Sequence, residues 1–224
     1  MSANLIHMLI EATWQTLYMV AASAILGAIG GVPIGTFLAC SQKGELLSAP
    51  WINKILGVVV NATRSVPFII LVVAIIPFTR MVAGTSIGTT AAIVPLTIAA
   101  VPFIARLVEN AIREVDSGLI EAARSMGATP LQIILKVLIP EALPAITLGM
   151  TLAVVSLLGY SAMVGAVGGE GLGDLGIRYG YQRFMPEVMG LVVVILIVLV
   201  QLVQTIGEWI ARRVDKRAPR NRGA

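Results

Sequence analysis

The residues best placed to do work in this chain lie between Gly118 and Pro140, in GLIEAARSMGATPLQIILKVLIP. Glu121 and Arg124 can pair with charges on a partner, while Leu119, Ala122, Ala123 and Met126 form a small apolar stripe at helical spacing. The chemistry of such a set is docking, with no bond made or broken. Gly118 is expected to N-cap a first short helix with Glu121 at N3, where its charge suits the helix dipole, and Gly127 to close it as the left-handed C′ residue. Thr129, Pro130 and Gln132 then supply a T-x-x-Q capping box with Pro at N1, opening a second helix whose continuation Pro140 limits. The outcome is a hairpin outside the apolar runs, with one face that wants a groove in another protein.

Other reactive arrangements are missing or misleading. No G-x-x-x-x-G-K-[ST] pattern occurs, so the chain cannot cradle ATP phosphates by that device. It has no HExxH, no Asp pair within an apolar run, and no Ser/His or Cys/His arrangement at membrane depth, which argues against an intramembrane hydrolase. One cysteine, Cys40, forbids an internal disulfide, and one histidine, His7, leaves no His/Cys metal set. Gly171, Gly173 and Gly176 reproduce G-x-G-x-x-G, but no strand precedes them and no acidic ribose partner follows at the proper distance. That segment, 165–183, reads instead as a compact outer loop with a short re-entrant portion, offering Glu170, Asp174, Arg178 and Arg183 to a delivery protein.

The elements that must position the hairpin are set by composition. With 57% hydrophobic residues, 12% charged residues and a mean hydropathy of +0.91, the chain is a membrane protein. Uncharged runs divide it at Ala12–Gln42, Ser65–Thr79, Met81–Ala105, Ala142–Gly169 and Val188–Gly207, giving five expected spans near 14–40, 56–79, 85–106, 142–166 and 187–209. The second run is too short, so its span must borrow backward into Leu56–Arg64. That leaves Arg64 near one membrane face, with Trp51 and Lys54 as neighbours, where it either snorkels to water or neutralises an acid between helices. The loop 113–140 holds the hairpin, and residues 212–224 form a basic tail. The net charge of +4 is concentrated in that tail, where Arg212, Arg213, Lys216, Arg217, Arg220 and Arg222 suit acidic lipid better than nucleic acid. The N-terminus lacks a basic n-region and its apolar run is longer than a signal h-region, so it is expected to be retained.

Five spans put the termini on opposite sides. Placing Lys43, Lys54, Arg106, Arg113, Arg124, Lys136 and the six tail cations together gives twelve, against three for Arg80, Arg178 and Arg183, with Arg64 left out. The N-terminus is therefore expected outside and the C-terminus and hairpin in the cytoplasm. Gly27, Gly31 and Gly35, four residues apart, offer a stripe for close helix approach, or else a flexible helix kinked at Pro33. Pro67, Pro77, Pro95, Pro102, Pro140 and Pro144 each interrupt a helical ladder, which suits a moving pathway and tight packing equally.

Glu121, Ala122, Ala123, then Gly127 six positions after Glu121, then Val137, Ile139 and Pro140, resemble the EAA---G---------I-LP loop of bacterial ABC-importer membrane subunits. Val137 for Ile and Ile139 for Leu depart from that pattern. The text RSVPFIILVVAIIPFTR from Arg64 to Arg80, then GTSIG, AAIVPLTIAAVPFIARLVENAI and GYSAMVGAVG, resembles the methionine-importer branch, over most of the chain. The resemblance implies a type I ABC importer permease fold in the bacterial inner membrane: an all-α membrane protein of about five transmembrane helices with a cytoplasmic coupling-helix hairpin. It implies that Leu119, Glu121, Ala122, Ala123, Arg124, Met126 and Gly127 dock an ATP-hydrolysing subunit, and that this chain carries no cofactor, ATP and Mg being bound by that partner.

By the same resemblance, ATP is hydrolysed by a pair of subunits, so two copies of this chain about a twofold axis are expected, with two ABC ATPase subunits and an extracytoplasmic methionine-binding lipoprotein. The solute path is expected along the second to fifth spans at Tyr160, Ser161 and Met163, with Asn61 and Thr63 as weaker candidates; ordinary helix packing explains each equally well. The lack of charged residues at mid-span disfavours an ionic or metal cargo and fits a zwitterion with an apolar side chain. Methionine, as the L or D form, comes from the resemblance alone. The alternative is an autonomous channel or secondary transporter for a small zwitterion, and a third reading is a membrane scaffold with no pathway.

Overall fold

The structure is a computed structural model and describes residues 3–42 and 46–215. Within these residues every regular element is helical: α1 (Ala3–Cys40), α2 (Pro50–Ser65), α3 (Phe68–Ala74), α4 (Ile76–Ala83), α5 (Thr89–Arg113), α6 (Ser117–Ser125), α7 (Pro130–Ile133), α8 (Ile139–Ala166), α9 (Gly171–Leu175) and α10 (Pro186–Val214). Among them α1, α5, α10 and the continuous rod Pro130–Ala166 are long and apolar enough to cross a membrane. A fifth crossing requires α2 and α3, which meet at a bend of 100°. Lys43, Lys216, Arg217, Arg220 and Arg222 lie outside the described residues, as does the tail beyond Asp215.

The frame is the seam between α1 and α5. A Cβ on Gly27 would sit 2.6 Å from the Ala100 methyl, one on Gly31 would sit 2.8 Å from both Ile104 and the Val101 carbonyl oxygen, and one on Gly35 would collide with the Ala105 carbonyl. The stripe therefore serves close packing, and Pro33 lies inside a helix that stays continuous. Lacking a hydrophobic drive between helices in lipid, this approach of backbones is what lets dispersion hold the pair. Leu96, Ile104 and Val108 of α5 are fully enclosed, as are Leu157 and Leu158 of α8 on its other side. α1 begins at Ala3, well before residue 14, because Leu9 and Ala12 pack with Leu172, Leu175, Val188 and Val192 in a smaller second core.

One proline acts differently from expectation. Pro140 does not limit the second helix of the hairpin. The chain widens into a π turn at Ile134–Leu138, in which the Ile139 N–H bonds back to the Ile134 carbonyl, and continues as α8. The wider turn removes the clash that a proline ring makes with the carbonyl four residues before it. Pro67, by contrast, divides the second expected span: Val66 is extended (φ −80°, ψ 126°), as the residue before proline prefers, and α3 starts afresh at Phe68. Since α2 starts at Pro50, Arg64 stands roughly 21 Å along its axis from that residue, far from Trp51 and Lys54. Pro95, Pro102 and Pro144 lie within unbroken helices.

At the end of the bundle that holds the α1 N-terminus, the loop 165–183 is tightly seated. The Gly171 N–H donates to Gln15 Oε1 (3.1 Å) and the Leu172 N–H to Thr16 Oγ1 (2.9 Å), while a side chain on Gly173 would strike the Ala162 backbone. Those glycines thus answer to helix crowding.

Candidate functional site

At the opposite end, where α5 stops and α8 begins, α6 projects as a separate short helix. Its N-cap is Asp116, whose carboxylate accepts from the Gly118 N–H at 2.7 Å. Gly118 is not the cap, because a side-chain oxygen satisfies an orphan N–H that glycine cannot. Glu121 accordingly falls beyond the first turn. The C-terminus closes as expected: Gly127 has φ +77°, its N–H bonds to the Arg124 carbonyl at 2.9 Å, and the Ala128 N–H bonds to the Ala123 carbonyl at 3.1 Å. This double bond pattern is a Schellman motif. Thr129 and Gln132 form the reciprocal capping box, with Pro130 at the first helical position.

The apolar stripe of α6 is split between two faces. Ala123 is only 4% exposed and packs into the main core with Ile120 half-buried beside it, so it faces the body of the protein. Successive residues turn by about 100°, and Ala123 lies between the Leu119 and Ile120 directions, close enough to the inner side to be captured. Leu119 (43% exposed) and Met126 (80%) face outward, with Glu121, Ala122, Arg124 and Gly127 also exposed. Leu131, on the next helix and 64% exposed, adds to the apolar residues at this end.

Between this end and the middle of the bundle lies a charged cluster that the sequence reading did not find. Glu109 of α5 is 2% exposed and bridges Arg106 at 2.6 Å and Arg113 at 2.5 Å. Arg106 also donates to Asn61 Oδ1 of α2 at 2.5 Å. The signal was available in the spacing R-x-x-E-x-x-x-R, which puts all three side chains on one helical face.

Farther along, α2, α3, α5 and α8 enclose a cavity of about 140 Å³ lined by Thr63, Arg64, Val66, Phe68, Leu71, Ala99, Phe103 and Tyr160. The Tyr160 ring stacks on Phe68 with centroids 4.4 Å apart and planes 13° from parallel. The Arg64 guanidinium lies 5.9 Å from the centre of the Phe103 ring. Of the three residues expected on the path, the structure places only Tyr160 here. Ser161 is buried and its hydroxyl donates to the Leu158 carbonyl at 2.8 Å, satisfying itself within its own helix; Met163 is 47% exposed and does not line this cavity. Thr63 lines the wall, whereas Asn61 is held by Arg106. Phe68 and Phe103 were missed because each reads as ordinary apolar filling until the break at Pro67 turns α3 toward α8.

On the loop 165–183, Arg178 pairs with Asp174 at 2.6 Å, and Arg178 and Arg183 lie 5.2 and 4.4 Å from the centre of the Tyr179 ring. Glu170, with φ +61° and ψ −164°, occupies a backbone region that is nearly reserved for glycine, and it borders a cavity of about 250 Å³ shared with Glu11 and Gln15 of α1.

Comparison with known proteins gives this arrangement its context. The probable D-methionine transport system permease protein MetI of Vibrio cholerae is 58% identical over 210 residues, which cover 94% of this chain and 93% of that protein. The corresponding protein of Pasteurella multocida is 49% identical over 205 residues, 92% of this chain and 94% of its own length. A solved inward-facing structure of the MetNI methionine ABC transporter superposes with a TM-score of 0.94 at 48% identity, covering 96% of this chain and all of that one. A more distant amino acid ABC transporter, solved with histidines, shares the fold at a TM-score of 0.76 and 23% identity. Residues 31–219 match the family described as binding-protein-dependent transport system inner membrane component. The all-α bundle, its broken second crossing and the projecting α6 are thus those of an ABC importer permease, and the chain belongs to the inner-membrane components of binding-protein-dependent transport systems.

Proposed function

We propose that this chain is the permease subunit of an ATP-driven importer of methionine, working as a homodimer whose two α6 helices each dock one ABC ATPase subunit in the cytoplasm. The carrying observation is the two-sided design of α6. Ala123 and Ile120 anchor the helix directly to the core, while Leu119, Ala122 and Met126 present an apolar strip, with Glu121 and Arg124 exposed farther round the helix. A helix held on one side and exposed on the other can pass displacement from a partner into the rod Pro130–Ala166 that follows it. Ala122 matters because bulk there would prevent seating, and Gly127 because a side chain at φ +77° would strain the hairpin.

In this reading ATP and Mg are bound by the partner, and this chain hydrolyses nothing. The N-terminus is outside and the C-terminus inside, as the Lys and Arg distribution favours. The outer loop, with Glu170, Asp174, Arg178 and Arg183, meets an extracytoplasmic methionine-binding protein. Tyr160 borders the solute path, and Met163, exposed on the same helix, contributes to it. The support for methionine is the 58% identity to a D-methionine permease and the likeness to the MetNI transporter.

The test is methionine uptake into vesicles containing this chain, its ATPase and its receptor. Glu121→Lys and Gly127→Val are expected to abolish ATP-dependent uptake while the permease still inserts and dimerises. Uptake undiminished by both changes, or uptake without any ATPase, would favour the autonomous transporter instead.

A further inference from the structure

We infer that the cavity between α2, α3, α5 and α8 is an amino-acid site, in which Arg64 holds the carboxylate and Phe68, Phe103 and Tyr160 close on the apolar side chain. This rests on the import reading above and adds the residues and the chemistry by which cargo is held inside the permease.

Three observations converge. First, Arg64 is an exposed residue at the cavity wall, its guanidinium beside the Phe103 ring, and makes no ion pair among the described residues, whereas Arg106 and Arg113 share the buried Glu109. A guanidinium in such a place calls for an anion, and its fork matches a carboxylate. Second, the helix break beside it supplies the complementary pole. The last carbonyls of α2 have no partner in the helix once Val66 turns extended, and the negative end of the helix dipole favours a cation there. A zwitterion can therefore set its carboxylate on Arg64 and its ammonium against those carbonyls, in the way that discontinuous helices of membrane transporters bind polar solutes. Third, the opposite wall is apolar and rigid. Phe68 is 8% exposed and locked against Tyr160 at 4.4 Å, so the pair forms a fixed platform, and a thioether gains from contact with ring edges. The Thr63 hydroxyl donates to the Val59 carbonyl at 2.9 Å and keeps its lone pairs for solute or water.

The complex of this chain with its ATPase and receptor is reconstituted in vesicles. ATP-driven methionine uptake is measured alongside crosslinking by photomethionine, whose diazirine replaces the thioether sulfur. In the wild type, crosslinks are expected at residues 68–71, 103 and 160. R64Q is expected to weaken them and to raise the KM of uptake by about tenfold or more, the value of a lost charged hydrogen bond, with partial recovery in R64K. Crosslinks confined to other segments, or an R64Q enzyme complex with wild-type KM and labelling, overturn the inference. Should R64Q not assemble, F103L reports on the apolar wall: a raised KM supports the site and an unchanged one rejects it. A wild-type complex that takes up no methionine at all sinks the import reading itself, and the inference with it.

Discussion

The α1–α5 seam and the α2–α4 segment are both apolar, and both carry helix-breaking residues, yet they are built to opposite ends. In the seam, Gly27, Gly31 and Gly35 admit no added methyl, and Pro33, Pro95 and Pro102 are absorbed without a break. In the segment from Pro50 to Ala83, the chain breaks at Pro67 and again at Ile75, and only Val60, Phe68, Val72 and Thr79 are buried. The difference teaches that neither glycine nor proline marks mobility by itself. What matters is whether a second helix covers the site. The seam is a frame against which a jointed strip can move, and Arg106 ties the two together through Glu109 on its own helix and Asn61 on α2.

This contrast can be broken most forcefully at Gly35. Gly35→Leu would drive a side chain into the Ala105 carbonyl and Val108, neither of which can retreat, and is expected to cost more than the ~3 kcal/mol of ordinary overpacking. The measurement is recovery of monodisperse dimer after detergent extraction; full recovery would show the seam to be compliant. A smaller effect is expected at the tie. Glu109→Gln leaves Arg106 and Arg113 facing each other around a buried neutral group, costing about 3 kcal/mol in thermal stability, at the lower end for a broken buried pair because both arginines remain partly exposed. The smallest change sharpens the contrast. A Cβ on Gly57 of α2 meets only Leu38 at 4.0 Å, so Gly57→Ala is expected to be neutral or to stabilise by about 0.5–1 kcal/mol, the reverse of the same change at Gly31.

Local rules carried the sequence reading a long way. The left-handed Gly127 and the Thr129–Gln132 box were legible because a few neighbouring residues decide them, and the glycine stripe because its period matches a helix face. What depended on distant contacts was not. Asp116 displaced Gly118 as the cap by having an acceptor where Gly118 has none. Ala123 turned inward because Ile120, Ile133 and Ile134 gather it into the core. The π turn that lets Pro140 pass has no mark in the residue types around it. The cavity escaped notice since Arg64, Phe68, Phe103 and Tyr160 come from four separate helices, and only the 100° bend brings them together.

The central claim, that α6 meets a motor in the cytoplasm, is tested most directly by locating its exposed face. In a Cys40→Ser background, Arg124→Cys is labelled with a membrane-impermeant thiol reagent in intact cells and in inside-out vesicles. The account predicts labelling in the vesicles alone, with protection when the ATPase is bound. Labelling from the outside of intact cells would contradict it.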